Sequence, residues 1–183
     1  PMEGVTDFPT RLWFAQTSAP YMMGTPFLRV TSTYPGSKLP ISWAPEIFIS
    51  NVSKGLNYEV TPQLMCPLPE LFIEQAPRIL KTSQRIEINC GCPSPKVVGK
   101  SSGSALLRET KEFHSFIKTL CQALPDNSLS VKMRTGYHTD ETFYELTSPL
   151  SELPLNRLVI HGRTRAQRYT GKANWQHMDK LSQ

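Results

Sequence analysis

The chain has no apolar run approaching the ~20 residues of a membrane span. Its opening residues, Pro1-Met2-Glu3-Gly4, do not form a secretory leader. A membrane protein is therefore not expected. Position 1 is not an initiator methionine, so residues are expected upstream of it. Cysteine is sparse: Cys66, Cys90, Cys92 and Cys121, with no C-x-x-C pair among them. A zinc ribbon needs such pairs. Cys90 and Cys92 are too close for an ordinary structural disulfide. A reduced, cytoplasmic protein is the expectation. Internal repeats and low-complexity segments are also lacking, which sets aside solenoids and arrays.

What is present is an ordinary globular composition over 183 residues, enough for one domain with a real core. The net charge is +5, with basic residues gathering late at Arg157, Arg163, Arg165, Arg168, Lys172 and Lys180. That balance suits a polyanionic partner such as RNA, and equally a plain basic surface.

Short apolar runs alternate with longer amphipathic stretches. Phe27 to Val30 reads as a strand end, Val60 to Met65 as a strand, and Thr33 to Pro45 as a loop. Apolar spacing predicts a helix over Pro69 to Lys81 and another over Glu109 to Leu124. Strands are predicted over 85–89, 129–134 and 157–161, a loop over 91–104, and helices over 139–150 and from Trp175.

The β-then-α rhythm implies a parallel sheet, either doubly wound or a (β/α)₈ barrel. Polar residues arbitrate. Gln63, Asn89, Lys132 and His161 each stand at or just past the C-terminal end of a different strand. A barrel draws its active site from several strand ends at that face. A whole barrel takes about 250 residues. Counting a strand that ends at Pro1, about the first six β/α units are expected here, so the TIM barrel is incomplete.

Four segments carry a more specific signal. They are Pro1-Met2-Glu3-Gly4-Val5-Thr6-Asp7; Asn89-Cys90-Gly91-Cys92-Pro93-Ser94 with Gly103-Ser104-Ala105-Leu106-Leu107; Val131-Lys132-Met133-Arg134-Thr135-Gly136; and the run from His161 to Trp175. In this order and spacing they resemble the tRNA-dihydrouridine synthases, most of all the bacterial C subgroup. The resemblance spans nearly the whole chain. It implies an oxidoreductase that uses FMN, with NADPH as hydride donor, to reduce uridine in the tRNA D-loop. It also implies that residues 1–183 are the N-terminal part of the flavin-binding barrel. The last barrel strands, which hold the FMN phosphate, and a helical tRNA-binding domain would lie beyond Gln183. A monomer is expected.

The chemistry sets the same requirements. Reducing the uracil C5–C6 bond takes a hydride at C6 and a proton at C5. No side chain supplies a hydride, so a redox cofactor must. A thiol of pKa ~8.5 remains protonated near neutrality and can give the proton. Cys92 matches the family's catalytic cysteine; taken alone, it reads as a small buried residue. A metal held by Cys90 and Cys92 would need further ligands, and none has suitable spacing. No metal is expected, and Cys90 reads as packing.

The resemblance assigns Pro1, Met2, Gln63, Lys132 and His161 to the flavin, and Asn89 to the substrate base. Lys132 would bring a fixed positive charge to the ring; by itself it reads as a solvated lysine. His161 by itself reads as a satisfied core histidine. Arg29, Arg134, Arg163, Arg165 and Gln167 are candidates for tRNA phosphates or bases. Two other readings compete: a truncated, catalytically inactive RNA-binding module, and a different flavin barrel. The Asn89–Pro93 and His161–Trp175 motifs speak against the latter.

Overall fold

The computed structural model describes residues 4–49 and 56–181. Its strands are β1 (Met22–Arg29), β2 (Glu59–Met65), β3 (Ile86–Cys90), β4 (Leu129–Arg134) and β5 (Arg157–His161). They form one sheet in the order β1-β2-β3-β4-β5, every pair parallel. Winding that never reverses is barrel winding; a doubly wound sheet turns back at a switch point. The fold is therefore an α/β TIM barrel, present here in part. The expected strand ending at Pro1 lies outside the described residues, as do Pro1 and Met2.

The helices are α1 (Phe8–Ser18), α2 (Pro45–Phe48), α3 (Pro69–Leu80), α4 (Pro95–Val98), α5 (Thr110–Ala123), α6 (Phe143–Thr147) and α7 (Gln176–Leu181). The predicted helix over 139–150 is shorter than expected and runs on as a 3₁₀ turn, Ser148–Glu152, with Pro149 near its start. The loop read over 91–104 holds α4 and the start of a 3₁₀ turn, Gly103–Leu107. Helix α1 was not predicted. It buries only Arg11 and Ala15, so it lacks an apolar face. Its available signal was the cap: the Asp7 side chain accepts from the Thr10 amide at 3.1 Å, and proline sits in the first turn.

Strand alternation divides the sheet. One face is apolar: Ile86, Ile88 and Cys90 of β3 and Leu129, Val131 and Met133 of β4 are all fully buried. They pack into one core with Phe72, Ala76 and Ile79 of α3 and Phe113, Ile117 and Leu120 of α5. Cys90 thus packs, as its sequence context indicated. The other face is polar. Register sets Gln63 beside Glu87, Glu87 beside Ser130, Asn89 beside Lys132, and Arg134 beside His161.

β1 carries a bulge between Gly24 and Phe27. Pro26 has no amide hydrogen to give to a ladder, and at the break the hydroxyl of Thr25 accepts from the Gln63 amide at 2.9 Å. The bulge thereby fastens the backbone of Gln63.

Candidate active site

The strand ends bring Gln63, Asn89, Lys132 and His161 to one end of the polar face. Gln63 and Asn89 are buried, while Lys132 and His161 are half-buried. Asn89 donates from Nδ2 to Gln63 Oε1 at 2.7 Å. Its Oδ1 accepts from the amides of Gly91 at 2.9 Å and Cys92 at 3.0 Å. The Asn89 side chain thus forms the turn that carries Cys92 off the end of β3.

Cys92 is the one cysteine of the four that is not buried. Its carbonyl accepts from the Ser104 amide at 3.1 Å and from the Ser104 hydroxyl at 2.7 Å. The loop is closed tightly there. A Cβ on Gly103 would come within 2.9 Å of Val97 Cγ1 and 3.0 Å of the Cys92 carbonyl oxygen, and Gly103 has φ +61°. Ser104 was not singled out from the sequence, although it lies inside a quoted motif. Burial pushes the other thiols up: Cys66 to about 12, Cys90 well above the ordinary thiol value.

The side chain of Lys132 makes no hydrogen bond with any described residue. Burial lowers its pKa; the Glu87 carboxylate opposes that shift and the Arg134 charge adds to it. Glu87 is raised by burial, against its hydrogen bond from Gln63 and the charge of Lys132. His161 falls to about 4, through burial first and then the Arg134, Lys132 and Arg163 charges. A guanidinium can only donate. Arg163 Nη1, 3.4 Å from His161 Nε2, therefore faces the unprotonated ring nitrogen. The site sets a neutral imidazole beside a cationic lysine.

Among the residues expected at tRNA, Arg29 lies on the rim and donates to the Lys96 carbonyl at 3.3 Å. Arg163 holds the Gly171 carbonyl through Nη2 at 2.9 Å. Arg165 stands over the Tyr137 ring at 5.0 Å, and its Nε has no partner among the described residues. Gln167 braces its own loop, accepting from the Thr164 amide at 2.7 Å. A cleft of about 570 Å³ opens beside His161, lined by Arg163, Lys172 and Trp175.

Arg134 is 2% exposed. Its Nε donates to the Gly91 carbonyl at 2.7 Å, and its Nη1 to Thr164 and Arg168 carbonyls at 2.8 and 2.7 Å. Its guanidinium also lies over the Tyr169 ring, 5.4 Å from the centroid. Three of its five N–H groups are thus on carbonyls, and besides the tRNA contact expected of it Arg134 acts as an internal clamp between two loops.

The donor set fits a flavin: a free ammonium for an anionic ring edge, a neutral imidazole, and amides with one hydrogen each still uncommitted. Among the described residues no group of three or more His, Cys, Asp or Glu could hold a metal. No helix among them is long and apolar enough to cross a membrane.

The family model described as "Dihydrouridine synthase (Dus)" matches residues 1–183. The tRNA-dihydrouridine(16) synthase of Pasteurella multocida (strain Pm70) is 30% identical over 189 residues, covering 100% of this chain and 59% of the relative. The protein of that name from Escherichia coli (strain K12) is 30% identical over 187 residues, again covering 100% and 59%. The "Probable tRNA-dihydrouridine synthase 1" of Synechocystis sp. is 30% identical over 185 residues, covering 100% and 50%. The chain thus spans between half and three-fifths of the length of these relatives. By the match along all its residues, the chain belongs to the dihydrouridine synthase family.

Proposed function

We propose that this chain is the N-terminal part of a flavin-bearing barrel that reduces the C5–C6 bond of a uridine in the D-loop of tRNA. One observation carries the reading. The half-exposed thiol of Cys92 stands at the strand end where Gln63, Asn89, Lys132 and His161 converge.

FMN, when bound, supplies the hydride for C6, and NADPH renews it. The residues of the chain do the rest. Lys132 would hold the ring by its charge, and Gln63 and neutral His161 would offer it polar contacts. Pro1 and Met2 complete that contact from the start of the chain. Asn89 already donates one Nδ2 hydrogen to Gln63; the second is available to a uracil carbonyl. Cys92 gives its proton to C5, and the resulting thiolate recovers a proton from solvent. Arg29, Arg163, Arg165 and Gln167 meet the tRNA around the rim. Further barrel strands and a helical tRNA-binding domain belong to the same protein in this reading.

The test is the visible absorbance of the purified protein, with any released chromophore identified by mass. Flavin bands with FMN released support the reading. Cys92→Ala should then lower dihydrouridine formation in tRNA by about 10²–10⁴-fold, the usual worth of a positioned general acid. A colourless protein that takes up no added FMN would leave RNA binding without catalysis.

A further inference from the structure

Glu87 takes no part in the chemistry above, yet it lies one step inside the site on the polar face of β3. It is 6% exposed. Its Oε1 accepts from Gln63 Nε2. Gln63 Oε1 in turn accepts from Asn89 Nδ2 at 2.7 Å, and Asn89 Oδ1 accepts from the amides of Gly91 and Cys92 at 2.9 and 3.0 Å. The four bonds run in one direction, two of them side by side on Asn89 Oδ1.

The direction is forced from both ends. The backbone amides of Gly91 and Cys92 can only donate. They oblige Asn89 to turn its oxygen toward them and its nitrogen toward Gln63. Gln63 must then present its own oxygen to Asn89, which leaves its nitrogen facing position 87. Only an acceptor at 87 closes the series. A carboxylate is one whichever way it turns. Burial raises the Glu87 pKa, opposed by the bond from Gln63 and the charges of Lys132 and Arg157; in either protonation state the carboxyl keeps an oxygen that can accept.

We propose that Glu87 is a positioning residue: as the terminal acceptor of the Gln63–Asn89 relay, it fixes the orientation of both amides and through them the start of the Cys92 loop. The consequence for catalysis rests on Cys92 being the proton donor; the positioning itself does not. Without an acceptor at 87, the buried Nε2 of Gln63 is left unpaired, and only the bond from Asn89 still favours its present orientation. Its flip sets nitrogen against nitrogen at Asn89, and the flip of Asn89 in turn deprives Gly91 and Cys92 of their acceptor.

The experiment compares Glu87→Met, which keeps size and removes the acceptor, with Glu87→Gln, which keeps a carbonyl acceptor. Amide hydrogen exchange is read at Gly91 and Cys92, with Val131 and Met133 of β4 as internal reference. No flavin or tRNA is required, so failed uridine reduction would not bear on the result. For Glu87→Met, exchange at Gly91 and Cys92 should quicken by about tenfold, the order expected for losing a buried acceptor, with Val131 and Met133 unchanged. Glu87→Gln should stay within about twofold of the parent. Unchanged protection in Glu87→Met overturns the proposal. Equal loss in both variants overturns it too, since charge rather than acceptance would then matter. Loss spread evenly to Val131 and Met133 makes Glu87 a general fold determinant and also overturns it.

Discussion

Arg134 and Gly91, which lie on neighbouring strand ends, are joined by a bond from the guanidinium Nε to the backbone carbonyl at 2.7 Å. The carbonyl immediately precedes Cys92. The same guanidinium holds the carbonyls of Thr164 and Arg168. Two loops that share no strand are thereby referenced to one side chain.

Removing that side chain should loosen both loops. Arg134→Ala leaves three carbonyls without a donor, each worth about 1 kcal/mol net. A loss of about 3 kcal/mol in urea unfolding is expected, with faster proteolysis between Thr164 and Gly171. An unchanged midpoint would show that the bonds are replaced by water at no cost.

His161 should titrate far below an ordinary histidine, at about 4, because burial and the charges of Arg134, Lys132 and Arg163 oppose its protonation. The folded value lies below the unfolded ~6.5. The contribution to stability is therefore full above the unfolded value and is lost as pH falls through the folded one. NMR of the ring protons measures the midpoint directly; a value above 6 would refute the assigned environment.

Thiol alkylation should be selective. Cys92 is half-exposed, whereas Cys66, Cys90 and Cys121 are buried and their thiols raised by burial. The thiolate is the reacting form. Brief iodoacetamide treatment at mildly alkaline pH, followed by peptide mass spectrometry, should find label at Cys92 first. Early labelling of Cys66 or Cys90 would mean that the β2 and β3 ends open readily.

Gly103→Ala should disturb the Cys92 loop from the opposite side. The left-handed conformation costs an alanine roughly 1–2 kcal/mol, and the added Cβ would press on the Cys92 carbonyl at 3.0 Å. Reduced stability together with a changed alkylation rate at Cys92 is expected. Lower stability with an unaltered rate would confine the effect to the turn.

Much of the architecture was legible in the sequence because its determinants are local. The runs at 129–134 and 157–161 are short, β-branched and bounded by turn residues, and they form β4 and β5 at those bounds. Helices α3 and α5 follow from apolar residues at helical spacing. Helix α1 was missed because its stability comes from a cap and from Arg11, whose guanidinium pairs with the buried carboxylate of Glu46 at 2.7 Å. That partner lies 35 residues away and no window of spacing includes it.

The site divides in the same manner. Sequence alone determined which residues stand at strand ends, since alternation and strand termini are properties of a few neighbouring positions. Gln63, Asn89, Lys132 and His161 were found in that way. Tertiary structure alone decided what each polar group faces. Arg134 reads in the sequence as a candidate RNA contact; that it also clamps two loops was not legible, because its three acceptors come from segments 30 to 43 residues away. Glu87 is the one charged residue of β3, and it accepts from Gln63 because parallel pairing sets that side chain beside it. Hydrogen-bond direction depends on which donors and acceptors meet, and that is settled only when distant strands pack in register.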